Sequence, residues 1–224
     1  MDSQRKIPIH TLALILLAGP FFLNDFTSIF VKDWRLWLIM DFVSVKLFPL
    51  AVFWWLIATG KMQLADFGLR TQTWPSFFKV FLVVTLVGTI MDQNGYQLAA
   101  GFKGYSPLGQ MPEITNPAWN WIDLTLGLLA VGVIEELVFR GFMHTLISKY
   151  TESRFVIVVI SSLAFGLIHW GLGFHAVLIT SLIGAVLMAA YMKTRSIYAL
   201  IFAHFAINFI DFANVFPKSF FRLL

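Results

Sequence analysis

The chain has no cysteine, so disulfides cannot staple it and no thiolate is available to a metal. Charge is scarce too: Asp, Glu, Lys and Arg make up 12% of the residues, against roughly a quarter in soluble domains. Sixteen basic and 12 acidic side chains cannot cover a 25.5 kDa globule in water, which excludes a soluble monomer. The net charge is +4, but the basic residues stand singly between apolar runs. Without a basic block to follow a phosphate backbone, nucleic acid is excluded as a partner. Disorder is excluded from the opposite side, because 58% apolar residues, 24 Phe, 8 Trp and a mean hydropathy of +0.79 are too much apolar surface to leave hydrated. What the sequence has in quantity is long apolar runs, and their natural solvent is lipid.

A spanning helix needs about 20 apolar residues at about 1.5 Å of rise each. Seven runs approach that length and predict helices over Ile7–Leu23, Trp34–Ala58, Ser76–Met91, Trp121–Tyr150, Phe155–Trp170, Phe174–Met192 and Ser196–Phe216. Arg5 and Lys6 ahead of the first run suggest a signal peptide, but Gly19-Pro20-Phe21-Phe22 is a poor cleavage sequence, so a retained helix is expected. The fourth run is long enough to cross the bilayer and continue past Arg140. The irregular stretch from Asp92 to Asn120 gathers Gly95, Gly101, Gly104, Pro107, Gly109, Pro112 and Pro117, and an eighth short helix inside it is the alternative to seven. With no internal repeat, the expectation is an all-α polytopic transmembrane bundle forming one integral membrane domain over residues 1–224.

Lys and Arg counted by side set the orientation. With seven passes, Arg5, Lys6, Lys61, Arg70, Lys79, Arg140, Lys149, Arg154, Lys193 and Arg195 fall on one side, and Lys32, Arg35, Lys103, Lys218 and Arg222 on the other. The N-terminus is therefore expected in the cytoplasm.

An ionisable side chain at bilayer depth is costly unless paired or hydrated, so each is a functional candidate. They concentrate in the C-terminal half, as Glu135-Glu136-Leu137-Val138-Phe139-Arg140, Phe165-Gly166-Leu167-Ile168-His169 and His204-Phe205-Ala206-Ile207-Asn208. Helical spacing puts Glu136 and Arg140 one turn apart on one face, as it does His204 and Asn208, while Glu135 points about 100° away from Glu136. Arg140 is placed to hold Glu136 as a structural carboxylate, which leaves Glu135 to exchange protons as a general base. Counting rise per residue, Glu135 and His204 both lie about 10 Å from the cytoplasmic side, whereas His169 comes out about 10 Å deeper.

These three motifs, Glu-Glu-x-x-x-Arg, Phe-x-x-x-His and His-x-x-x-Asn, on successive apolar segments within residues 119–216, resemble the CPBP family of intramembrane proteases, also called the CAAX protease or Abi family. The resemblance implies hydrolysis of a peptide bond in a membrane-associated peptide or protein, with the lipid bilayer as the other partner. By position it makes Glu135 the water-activating base, with His169, His204 and Asn208 completing the site and Glu136, Arg140 and Phe165 in support. Short loops suit a compact bacterial-type member of an inner (cell) membrane. The chemistry is reasonable without the family: Glu135 activates water and returns its proton, His204 and Asn208 donate to the oxyanion, and His169 orients the water. No cofactor is then needed. The hydrolytic alternative is a Zn²⁺ site built from His169, His204 and Glu135. A serine route through Ser161 or Ser162 lacks an Asp to complete a triad.

The plainer readings are specific. Alone, Glu135, Glu136 and Arg140 would be an ion-pair network fixing helix packing. His144 and His175 read as solvated surface residues, Asp123 and Asp211 as interfacial, Asn116 and Asn120 as loop and capping residues. Asp41 and Lys46 are buried without motif partners and are expected to pair locally or snorkel. Small residues at Gly171, Gly173, Gly184, Ala185, Ala189 and Ala190 should let the last three helices approach closely. The other function classes are a small proton-coupled transporter, against which polar groups in only one half of the chain speak, and a non-catalytic immunity or scaffold protein.

Overall fold

In lipid the backbone must satisfy its own hydrogen bonds, and apolar runs of this length do so as helices. The computed structural model describes residues 6–100, 108–217 and 220; Arg5, Lys103, Lys218 and Arg222 of the orientation count, and Gly101, Gly104 and Pro107 of the loop, lie outside them. Among the described residues there are no strands, and seven helices account for the runs: α1 (Lys6–Phe30), α2 (Trp34–Ala58), α3 (Trp74–Ala100), α4 (residues 117–147), α5 (Arg154–Leu167), α6 (Phe174–Thr194) and α7 (Tyr198–Phe212). Helices α1, α2, α3 and α6 contain segments long and apolar enough to cross a membrane, while α5 and α7 are shorter apolar helices. Helix α4 changes to π geometry over Asp123–Gly127 and Leu137–Phe142, and α2 does so over Phe42–Leu47.

Two boundaries differ from the sequence expectation for physical reasons. Helix α3 does not end at Met91, because its polar residues turn inward: Gln93 and Asn94 are buried, and the Asn94 amide donates to the Ile90 carbonyl at 2.7 Å. The irregular stretch accordingly shortens, and residues 108–116 hold no eighth helix. Helix α5 stops at Leu167, short of Trp170, and gives way to a 3₁₀ turn over Trp170–Leu172. The starts are capped as the residue types dictate. Asp33 accepts from the Arg35 and Leu36 N–H groups, Asn116 from Ala118 and Trp119, and Ser153 from Val156.

Helices α5 and α6 pack along their length through the small residues. A Cβ on Gly166 would overlap the Ser181 hydroxyl, and one on Gly184 would press on the Phe165 ring and the Ser162 backbone. Helix α7 lies against α3 and α4, and α1 against α2 and the 3₁₀ turn. At one end of the bundle the loops knit together. The Ile197 N–H donates to the Gly68 carbonyl at 3.1 Å, the Thr145 hydroxyl to the Asp66 carbonyl at 2.8 Å, and Arg195 reaches His144. The outside is apolar: Phe30, Trp54, Leu82, Leu126 and Leu163 are all more than half exposed, as a lipid-facing surface requires.

Candidate active site

The site is built outward from the middle of α4. Adjacent helical positions point Glu135 and Glu136 to different neighbours. Glu136 and Arg140 are fully buried, and Glu136 Oε2 lies 3.2 Å from Arg140 Nε one turn on. The guanidinium also sits over the Phe165 ring, 4.1 Å from its centroid, a cation–π contact that is stronger when desolvated. The other Glu136 oxygen is 2.9 Å from His204 Nδ1 on α7, and His204 Nε2 faces Glu135 Oε2 at 3.5 Å. His204 therefore bridges the two carboxylates, with the edge of Phe165 against its ring at 5.8 Å. Gly132, one turn before Glu136, allows this meeting, since a Cβ there would lie 3.2 Å from the Ile201 carbonyl of α7.

His169 is not in a helix. At the end of α5 its backbone N–H turns to the Gly166 carbonyl, and its ring Nδ1 takes up the Phe165 carbonyl at 3.0 Å. Only an Nδ1–H can make that bond to a carbonyl, so in the neutral ring Nε2 is left as an acceptor. The turn takes His169 out of the helical rise, which accounts for about 3 Å of the apparent depth mismatch. Asn208 is half-buried one turn along α7 from His204.

Glu135, His169, His204 and Asn208 line one cavity of about 810 Å³, which Phe165 also borders. Glu136 and Arg140 do not line it and sit behind it. Three elements thus deliver four polar groups to a single space, and the Glu136–Arg140 pair behind it holds His204 in place.

Other expectations need correction. His144 is buried rather than solvated, because the left-handed Arg195 at the end of α6 folds the guanidinium back onto its ring beside Tyr191. His175, Asp123, Asp211 and Asn120 are part-buried and border the cavity. Polar groups are not confined to one half of the chain: Asn24, Asp25, Asp41 and Lys46 line the same cavity. Lys46 and Asp41 form a buried ion pair, and Asn24 joins them by donating to Asp41 at 3.2 Å and accepting from Ser44 at 2.7 Å. The signal missed was Asn24-Asp25, which follows Leu23 and reads in sequence as the end of a helix. The serines are spoken for, Ser161 donating to the Phe139 carbonyl and Ser162 to the Val158 carbonyl. Among the described residues no group of three or more His, Cys, Asp or Glu is arranged to hold a metal ion.

A family model described as type II CAAX prenyl endopeptidase Rce1-like matches residues 117–210. These residues run from the start of α4 into α7 and include Glu135, Glu136, Arg140, His169, His204 and Asn208. No curated protein and no solved structure matches the chain.

Proposed function

With residues 117–210 belonging to the CPBP, or CAAX protease, family, we propose that the protein is an intramembrane endopeptidase that hydrolyses a peptide bond in a membrane-associated peptide or protein. The observation that carries this reading is the shared cavity: Glu135, His169, His204 and Asn208, drawn from all three motifs, border one space large enough for a peptide segment and water.

Glu135 takes a proton from the attacking water, and the water oxygen bonds to the scissile carbonyl carbon. His169, with Nδ1 committed to the Phe165 carbonyl, accepts a hydrogen bond at Nε2 from the O–H the water keeps and so orients the nucleophile. Asn208 and His204, which both line the cavity, are the donors to the oxyanion in this reading, and Glu136 fixes the His204 ring from behind at Nδ1. The proton on Glu135 then passes to the leaving nitrogen as the oxyanion re-forms the carbonyl and the C–N bond breaks, giving a carboxylic acid and an amine. Two adjacent carboxylates divide the work, since Arg140 and His204 occupy Glu136 while Glu135 opens to the cavity. The knitted end of the bundle, where loops carrying Lys61, Arg70, Lys149 and Arg195 meet, is the cytoplasmic end.

Reconstituted protein incubated with single-span peptides, with products read by mass spectrometry, tests the reading. Glu135→Gln and His204→Ala should each lower turnover by about 10²-fold or more, and a chelator should leave it unchanged. Cleavage undiminished in both variants would overturn the assignment.

A further inference from the structure

Helix α1 lies outside the segment that the family model matches, yet it grips the turn that carries His169. The Trp170 indole N–H donates to the Phe22 carbonyl at 2.9 Å, and the Gly171 N–H donates to Asp25 Oδ2 at 2.6 Å. The Trp170 ring completes the grip, with its centroid 5.6 Å from Phe22 and edge-on to Phe26 at 4.8 Å. The approach is close enough to require glycine at 171, where a Cβ would come 2.7 Å from the Asp25 carbonyl oxygen. A buried carboxylate in an apolar helix is retained at a cost, and here its hydrogen bond goes to the backbone two residues beyond His169.

The His169 ring is held at two points. One is its bond to the Phe165 carbonyl on α5. The other is its own backbone, which belongs to the 168–172 turn and has left the helix. Fixing the ring therefore requires fixing that turn relative to α5, and the contacts with α1 do so. We propose that Asp25 is a positioning residue for His169: its carboxylate holds the Gly171 N–H, which sets the turn and keeps the Nε2 edge of His169 at the cavity that Asp25 also borders. The N-terminal helix is thereby part of the catalytic apparatus. The functional consequence rests on the reading of His169 as the group that orients water, so the experiment has one arm that needs no substrate.

In the first arm the full chain, labelled with ¹⁵N-histidine in lipid nanodiscs, gives the ring signals of His169, identified by their loss in His169→Gln. Wild type and Asp25→Asn, which keeps an oxygen for the Gly171 N–H, should show one His169 environment with the proton on Nδ1. Asp25→Leu and Gly171→Ala should show shifted or multiple environments. In the second arm, single-span peptides should be cleaved by Asp25→Leu with kcat lowered about 10–10²-fold and KM changed less than about 2-fold, and by Asp25→Asn within about 3-fold of wild type. Should Asp25→Leu fail to assemble, Gly171→Ala decides both arms. Unchanged His169 signals in the folded variants would overturn the positioning role whether or not peptides are cleaved. Altered signals with undiminished cleavage would support the positioning of the ring and overturn instead the part given to His169 in hydrolysis.

Discussion

Glu136 and Arg140 exclude water completely, and the behaviour of this pair is the sharpest consequence at the level of single residues. Breaking a buried ion pair from one side strands a charge, which costs about 3–5 kcal/mol, whereas replacing both partners with apolar or neutral groups is far milder. Arg140→Met should therefore lower the thermal unfolding midpoint in detergent sharply, and Glu136→Gln with Arg140→Met should recover much of the loss. A double variant as unstable as the single one would show that Arg140 acts through its stack on Phe165 rather than through Glu136. This pairing was legible in the sequence, since residues four apart on a helix must share a face. The bridging of Glu135 and Glu136 by His204 was not, because the meeting of α4 with α7 depends on Gly132 and the rotation of both helices. Asp25 was hidden for a different reason: a polar pair after an apolar run looks the same whether the helix ends there or turns that face inward.

Helix α5 approaches α6 closely at Gly166, where a side chain would meet Ser181 and the Val177 carbonyl. Gly166→Ala should destabilise the protein by about 1–3 kcal/mol through overpacking. Gly184→Ala on α6, where the nearest neighbour of a Cβ is the Phe165 ring at 2.9 Å, should destabilise less. Differential scanning fluorimetry on both variants checks the order. Run lengths in the sequence located all seven helices, since apolar continuity over about 20 residues is a strong signal. Where an end depended on which face a polar residue took, they did not suffice. Asp92, Gln93 and Asn94 continue α3 because Gln93 and Asn94 turn inward, while His169 falls outside α5 because its ring caps the Phe165 carbonyl.

For the molecule as a whole, the absence of cysteine makes topology directly measurable, since any introduced thiol is unique. In right-side-out vesicles an impermeant maleimide should leave Glu152→Cys, in the loop before α5, unlabelled and react with Thr115→Cys, in the stretch before α4; the reverse pattern would invert the proposed orientation. Composition alone made the membrane class and the multi-pass architecture legible, and the three motifs picked out four groups that border the cavity. The contribution of the N-terminal helices to that cavity was out of reach, because contacts between distant segments leave no local pattern. The convergence of α4 and α7 is what the hydrolytic reading stands on, and its most direct measurement is a ¹³C–¹⁵N distance in bilayers, with glutamate labelled at Cδ and histidine at the ring nitrogens. Strong dipolar coupling from two glutamates to His204 is predicted, matching contacts of 2.9 Å to Glu136 and 3.5 Å to Glu135, with the second lost in Glu135→Gln. A spectrum in which no glutamate carboxyl couples to the His204 ring would contradict it.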